Sequence, residues 1–191
     1  MARVDLEPDV LSTLRILDDH GVELVVIGDV ADALHDDGAG FVETVAIVPS
    51  GYARNLDRLA GALRELRAQL RVPGQTRAQP LALAPHALRE LGRCTLVTEH
   101  ADVELDLEPA GTAGYPDLFA DARRIEVGER LAVTVASTED LDRLDDARAR
   151  HPVARPDGGP RSGRPTRASA RRASPSAGPA TARGRARARP R

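Results

Sequence analysis

The chain has 191 residues, 41% of them hydrophobic, with one cysteine and no tryptophan. The lone Cys94 excludes a disulfide framework and a cysteine-based zinc site, and the longest apolar run, LVVIG, is far too short to span a bilayer. The formal net charge of −2 hides two opposite pieces: residues 1–150 carry 16 Arg and 28 acids, and residues 151–191 carry 11 Arg and the single acid Asp157.

No apolar run follows a basic start, so no secretory signal is expected. The chain is read as cytoplasmic, with no membrane partner. Two segments are expected, a folded domain over 1–150 and a disordered Arg/Pro/Ala-rich tail over 151–191. The tail has one large aliphatic, Val153, and cannot bury enough apolar surface to offset its chain entropy. Its arginines suit phosphate contacts, although it lacks aromatics that would stack on bases. An unselected extension is the other reading.

In chain order, PDVLSTLRILDDHG predicts a helix: Pro8 suits the first turn, Leu11, Leu14 and Leu17 recur at helical spacing, and Gly21 suits the exit. ELVVIG predicts a short buried strand, DVADALHDD a short helix directly after Gly28, and FVETVAIVP a strand ended by Pro49. ARNLDRLAGALRELRAQLR is the strongest helix, with Leu56, Leu59, Ala60, Leu63, Leu66 and Leu70 on one stripe. Residues 72–84 read as a loop and PHALREL as a short helix. CTLVTEH and DVELDLEP predict paired strands that turn near His100–Ala101. Cys94 is then a buried, inert thiol. YPDLFADARR predicts a helix, IEVGERLAVTVA a hairpin, and STEDLDRLDDARAR a closing helix capped by Ser137 with Asp140. The order gives an α/β (α+β) domain with a mixed sheet flanked by helices.

DVELDLEP carries the sharpest chemical signal. Strand alternation puts Asp102, Glu104, Asp106 and Glu108 in one row. Carboxylates in a row repel unless water or a cation lies against them.

VVIGDVADALH followed by ETVAIVP resembles the opening of the minimal nucleotidyltransferases, among them the abortive-infection (type IV toxin–antitoxin) members. EPAGTAGYPDL (108–118) and VTVASTEDLDRL (133–144) extend the resemblance over most of residues 8–150. It implies a nucleotidyltransferase-like mixed sheet. It also implies a Gly-Gly or Gly-Ser turn at the phosphates, an Asp-x-Asp strand and a third carboxylate on a later strand, together holding Mg²⁺ and a nucleoside triphosphate.

Here Gly28 matches the first glycine and Asp29 replaces the second. Asp-x-Asp falls on Thr44-Val45-Ala46, and Glu104 matches the third carboxylate, with Asp102 and Asp106 as near-substitutes. The resemblance therefore implies catalytic Glu104 and Asp102, nucleotide contacts at Gly28, Asp29 and Thr44, and metal ligands, if any, in Glu104 and Asp106. With two carboxylates missing, the expected protein is catalytically impaired. One alternative is an active Mg-dependent transferase working from Glu104, Asp102 and Asp106 on an RNA or protein acceptor. Another is a nucleic-acid binder acting through residues 151–191.

Glu43, Asp36 and Asp37 are considered as replacement ligands, but Glu43 faces away from Thr44 and Ala46. His35 is read as a helix-end polar residue or a nucleotide contact, and His86 and His100 as surface residues. Asp29 is a candidate helix cap. Tyr115 and Asp117 are assigned packing and capping roles.

Overall fold

The computed structural model describes residues 6–35 and 42–150, and the proposed tail lies outside them. Six helices and eight strands are present among these residues. The helices are α1 (Pro8–Asp19), α2 (Gly28–His35), α3 (Ala53–Glu65), α4 (Pro85–Leu91), α5 (Tyr115–Ala120) and α6 (Thr138–Arg150). The strands are β1 (Leu24–Ile27), β2 (Thr44–Pro49), β3 (Gln69–Leu70), β4 (Gln79–Pro80), β5 (Arg93–Val97), β6 (Asp102–Asp106), β7 (Arg123–Gly128) and β8 (Leu131–Val135). Among the described residues, no helix is long and apolar enough to cross a membrane.

The strands form one mixed sheet in the order β4-β3-β5-β6-β2-β1-β8-β7. β2 runs parallel to β6 and β1 to β8, and the other neighbours are antiparallel. The α/β class read from the sequence is therefore observed. α1 and α3 pack on each other and against β2, while α2 packs on β1 and β2 and touches α6. Leu14 and Leu17 of α1 and Leu56, Leu59 and Leu63 of α3 are almost fully buried. Each such side chain contributes about 1.5–3 kcal/mol by leaving water.

α1 starts with Pro8 in its first turn and ends at Gly21, whose φ is +62°. The Val22 amide donates to the Leu17 carbonyl at 3.0 Å, closing the helix as the sequence predicts. α6 is capped by Ser137, whose Oγ accepts the Asp140 amide at 3.2 Å and donates to the Asp140 carboxylate at 2.9 Å. The carboxylate thus bonds the Ser137 hydroxyl, where a full capping box would use the Ser137 amide.

Three boundaries differ from the sequence expectation. α3 stops at Glu65, because Arg67 takes φ +52° and the Ala68 amide reaches back to the Leu63 carbonyl at 2.9 Å. This is a helix-ending pattern usually marked by glycine, and none is present. Leu70, placed on the helix stripe, instead pairs with Leu96 as part of β3. The expected loop 72–84 contributes the two residues of β4. α5 ends at Ala120, and Arg123 and Arg124, expected in that helix, begin β7.

Candidate functional site

β2 and β6 lie side by side and in parallel, with Thr44 opposite Asp102, Val45 opposite Val103, Ala46 opposite Glu104 and Ile47 opposite Leu105. Paired residues share a face. Val45, Ile47, Val103 and Leu105 are fully buried on one face. The other face carries Thr44 and Ala46 beside Asp102, Glu104 and Asp106. The strand ends at Asp106, so Glu108, expected in the same row, lies in the following turn and is exposed.

β5 and β3 bring arginines to this row. Arg93 is paired with Asp106 in the antiparallel β5–β6 ladder. Its Nε donates to Glu104 Oε1 at 2.9 Å, its Nη2 also bonds that oxygen, and its Nε lies 3.9 Å from Asp106. Arg71, one residue beyond β3, donates from Nη2 to Asp102 Oδ2 at 2.7 Å. Asp102, Glu104 and Asp106 therefore each face a guanidinium supplied by a neighbouring segment.

Asp106 is the most buried of the three, and its Oδ1 accepts the Glu108 amide at 3.2 Å. Burial raises its pKa above the ordinary value, and the Glu104 charge pushes the same way. The Glu108 hydrogen bond, Arg93 and Arg148 oppose that rise. Burial at this site also pushes the Cys94 thiol from 9.0 to about 11, with Asp106 and Glu104 adding to the effect. The thiolate fraction at neutral pH then falls about 100-fold, and alkylation should slow by a similar factor. Iodoacetamide kinetics on folded and urea-unfolded protein will measure this; equal rates would show that Cys94 is not shielded.

Gly28 sits at the β1–α2 junction with φ +67°, and a Cβ placed there would lie 3.5 Å from the Ala46 Cβ. The glycine position and Ala46 are thus adjacent. Asp29 is exposed within the first turn of α2, so it complements the helix dipole and does not serve as the expected cap. His35 Nε2 lies 2.7 Å from the Ala136 carbonyl and donates to it, tying the end of α2 to the end of β8. His100 sits 3.5 Å from Asp9, and His86 is exposed. The Asp117 carboxylate accepts the Ala113 amide at 3.2 Å and pairs with Arg143 at 3.0 Å, a capping role. Tyr115 stacks on Phe119 with ring centroids 5.2 Å apart.

Mg²⁺ requires several charged oxygens in a near-octahedral array. Opposite the acidic row, β2 offers one neutral hydroxyl and a methyl group. The acids themselves are hydrogen-bonded or ion-paired to arginines. These residues do not fit the ion. Among the described residues, no three His, Cys, Asp or Glu side chains converge as cation ligands, and Asp36 and Asp37 lie outside that set. Arg71 and Arg93 were not anticipated from the sequence. The only sequence signal is for Arg93, which directly precedes a strand predicted to pair with the acidic one; Arg71 adjoins β3, which lies one strand further away.

No family model matches the chain, and no curated protein matches it. Among solved structures, the crystal structure of a candidate nucleotidyltransferase from Thermotoga maritima is similar at a TM-score of 0.48 and 16% identity, covering 78% of this chain and 94% of that one.

Proposed function

We propose that this protein is a nucleotidyltransferase-related domain that has given up metal-dependent transfer and acts by binding. The reading rests on the residue resemblance together with one observation. In the β2–β6 register, Thr44 and Ala46 stand opposite Asp102 and Glu104, and arginines neutralise the acidic row. In an active site of this kind, two carboxylates at i and i+2 on β2 would complete a ligand set with Glu104. A guanidinium on Glu104 removes the charge that would recruit a cation, and Mg²⁺ would have to displace it. Losing such preorganised charge costs several kcal/mol of transition-state stabilisation per group. The part left to Gly28, Asp29 and Thr44 is at most weak contact with a nucleotide.

The test is incubation with radiolabelled nucleoside triphosphates and Mg²⁺ or Mn²⁺, with cellular RNA and protein as acceptors. No transfer above background is expected. Robust transfer that disappears in Glu104→Ala would overturn the proposal and establish the active-enzyme alternative.

Arg93 provides a second test. Arg93→Met leaves Glu104 and Asp106 facing each other without their counterion. Because the arginine is partly exposed, the expected loss is about 1 kcal/mol at pH 7. Its sign with pH follows from the carboxylates. A carboxyl with a raised folded pKa binds more protons folded than unfolded. The penalty is therefore greatest at neutral pH and shrinks as pH falls through the raised value toward the unfolded one. Urea midpoints at pH 7 and pH 5 should converge for variant and wild type at the lower pH. A constant gap would show that Arg93 acts by packing alone.

A further inference from the structure

At the other end of β1 from Gly28 lies a cleft of about 500 Å³. Its floor is apolar, with Leu14 and Leu17 from α1 and Val133 from β8, and its wall is the stacked pair Tyr115 and Phe119 of α5. The chain has only four aromatic residues, two Tyr and two Phe, so two of the four are spent on this wall. Phe119 is 51% exposed, so its ring is open to a ligand in the cleft.

The cleft's charged groups are Asp18 and Glu23 on the α1–β1 side and Arg124 on β7. Glu23 is only loosely matched, by Arg58 at 3.5 Å, and it lies close enough to Tyr115 to act on its phenol. Glu23 and the aromatic pair thus lie in the same part of the lining. The surrounding domain is also strongly acidic over residues 1–150, which concentrates cations and repels anions. Ring faces attract cations, and carboxylates beside them add a charge-assisted partner. Arg124 is one cation against two carboxylates on the lining, so the lining is net acidic, and the apolar floor suits a ligand's stem.

We infer that this cleft binds a small organic cation, an amine or guanidinium on an apolar or aromatic stem, between the Tyr115–Phe119 pair and the carboxylates of Asp18 and Glu23. This site is separate from the β2–β6 row and stands or falls independently of it.

The probe is phenethylamine, with benzoate as its opposite-charge counterpart. Tyr52→Phe leaves Tyr115 as the sole tyrosine, so its fluorescence reports on the cleft. Phenethylamine should change that signal saturably, with a Kd of about 1 mM or tighter, and benzoate should bind at least about tenfold more weakly. Phe119→Ala and Asp18→Asn, made in the same background, should each weaken phenethylamine about five- to tenfold. Both residues are exposed, and circular dichroism will verify that each variant is folded. Three results would overturn the inference: no saturation, equal or tighter binding of benzoate, or unchanged affinity in both variants.

Discussion

Gly114→Ala is expected to destabilise the domain by about 3–5 kcal/mol. Gly114 has φ +77° and ψ −151°, a conformation that residues with a side chain essentially do not adopt. That alone costs about 1–3 kcal/mol. An added Cβ would also lie 2.5 Å from the Leu107 carbonyl oxygen. The obstruction is backbone, directly after β6, so it cannot swing aside as a flexible side chain would. Gly74 supplies the comparison: its φ is +78°, but nothing lies within 4 Å of its Cβ position. Gly74→Ala should therefore cost only about 1 kcal/mol, the conformational part. Thermal unfolding of both variants separates strain from collision, and Gly114→Ala should lose about 10 °C or more. Equal, small losses would mean that the 107–114 segment yields without cost. Gly114 starts α5, which carries Asp117 to Arg143 and Tyr115 to the cleft. A variant that folds should therefore also bind phenethylamine more weakly.

The fold was legible where one side-chain period held over a whole element. Leu11, Leu14 and Leu17 marked α1, and the stripe from Leu56 to Leu66 marked α3. Reading failed where the chain reversed without its usual signal. Arg67 does what glycine normally does, so the leucine spacing carried the helix on through Leu70. Two-residue strands such as Gln69–Leu70 and Gln79–Pro80 are too short to show alternation; the first depends on β5 beside it and the second on the first. In DARRIEV the arginines suit a helix end as well as an edge strand. Only the pairing of Arg123 with Val135 and Arg124 with Thr134 decides for the strand.

The acidic row was legible for the same reason as the helices, since alternation is local. Its neutralisation was not, because it depends on cross-strand register and, for Arg71, on a distant segment. Arg93 reaches Glu104 across a ladder, and Arg71 reaches Asp102 from 31 residues away. The alternation of DVELD posed a charge problem that the sequence alone solved with either water or a metal. The structure answers with guanidinium groups: Arg93 from β5, whose pairing with the acidic strand was read, and Arg71 from beyond β3, which was not read as a strand. That answer also explains how Thr44 and Ala46 can stand opposite Asp102 and Glu104 without a cation to hold the strands together.

Asn55→Leu is the second large loss, expected at about 3 kcal/mol. In the sequence Asn55 is only a polar residue near the start of an amphipathic helix. In the structure it is buried, and its amide completes the sheet. Its Oδ1 accepts the Glu23 amide at 2.7 Å, and its Nδ2 donates to the carbonyls of Glu23 and Ser50, both at 2.9 Å. It does so at the end of the β1–β2 ladder, where Leu24 pairs with Pro49. Proline has no N–H to give the ladder; beyond it the Ser50 amide donates to the Glu23 carbonyl at 2.9 Å, and the Asn55 side chain satisfies the Glu23 amide and the Ser50 carbonyl that this bond leaves over. Leucine has similar size but strands the Glu23 amide and the Ser50 carbonyl, each worth about 1–3 kcal/mol if buried, while the Glu23 carbonyl keeps the Ser50 amide at 2.9 Å. Asn55→Asp is the sharper variant. It keeps the acceptor for the Glu23 amide but turns an ionised oxygen toward two carbonyls, which favours its neutral form and raises its folded pKa. The folded state then binds more protons than the unfolded one. Asn55→Asp should be nearly as damaging as Asn55→Leu at pH 7 and should regain stability as pH falls toward the unfolded carboxylate value of about 4. Asn55→Leu should show no such recovery relative to wild type. If both variants track wild type within about 0.5 kcal/mol in urea unfolding, these hydrogen bonds do not hold β1 to β2.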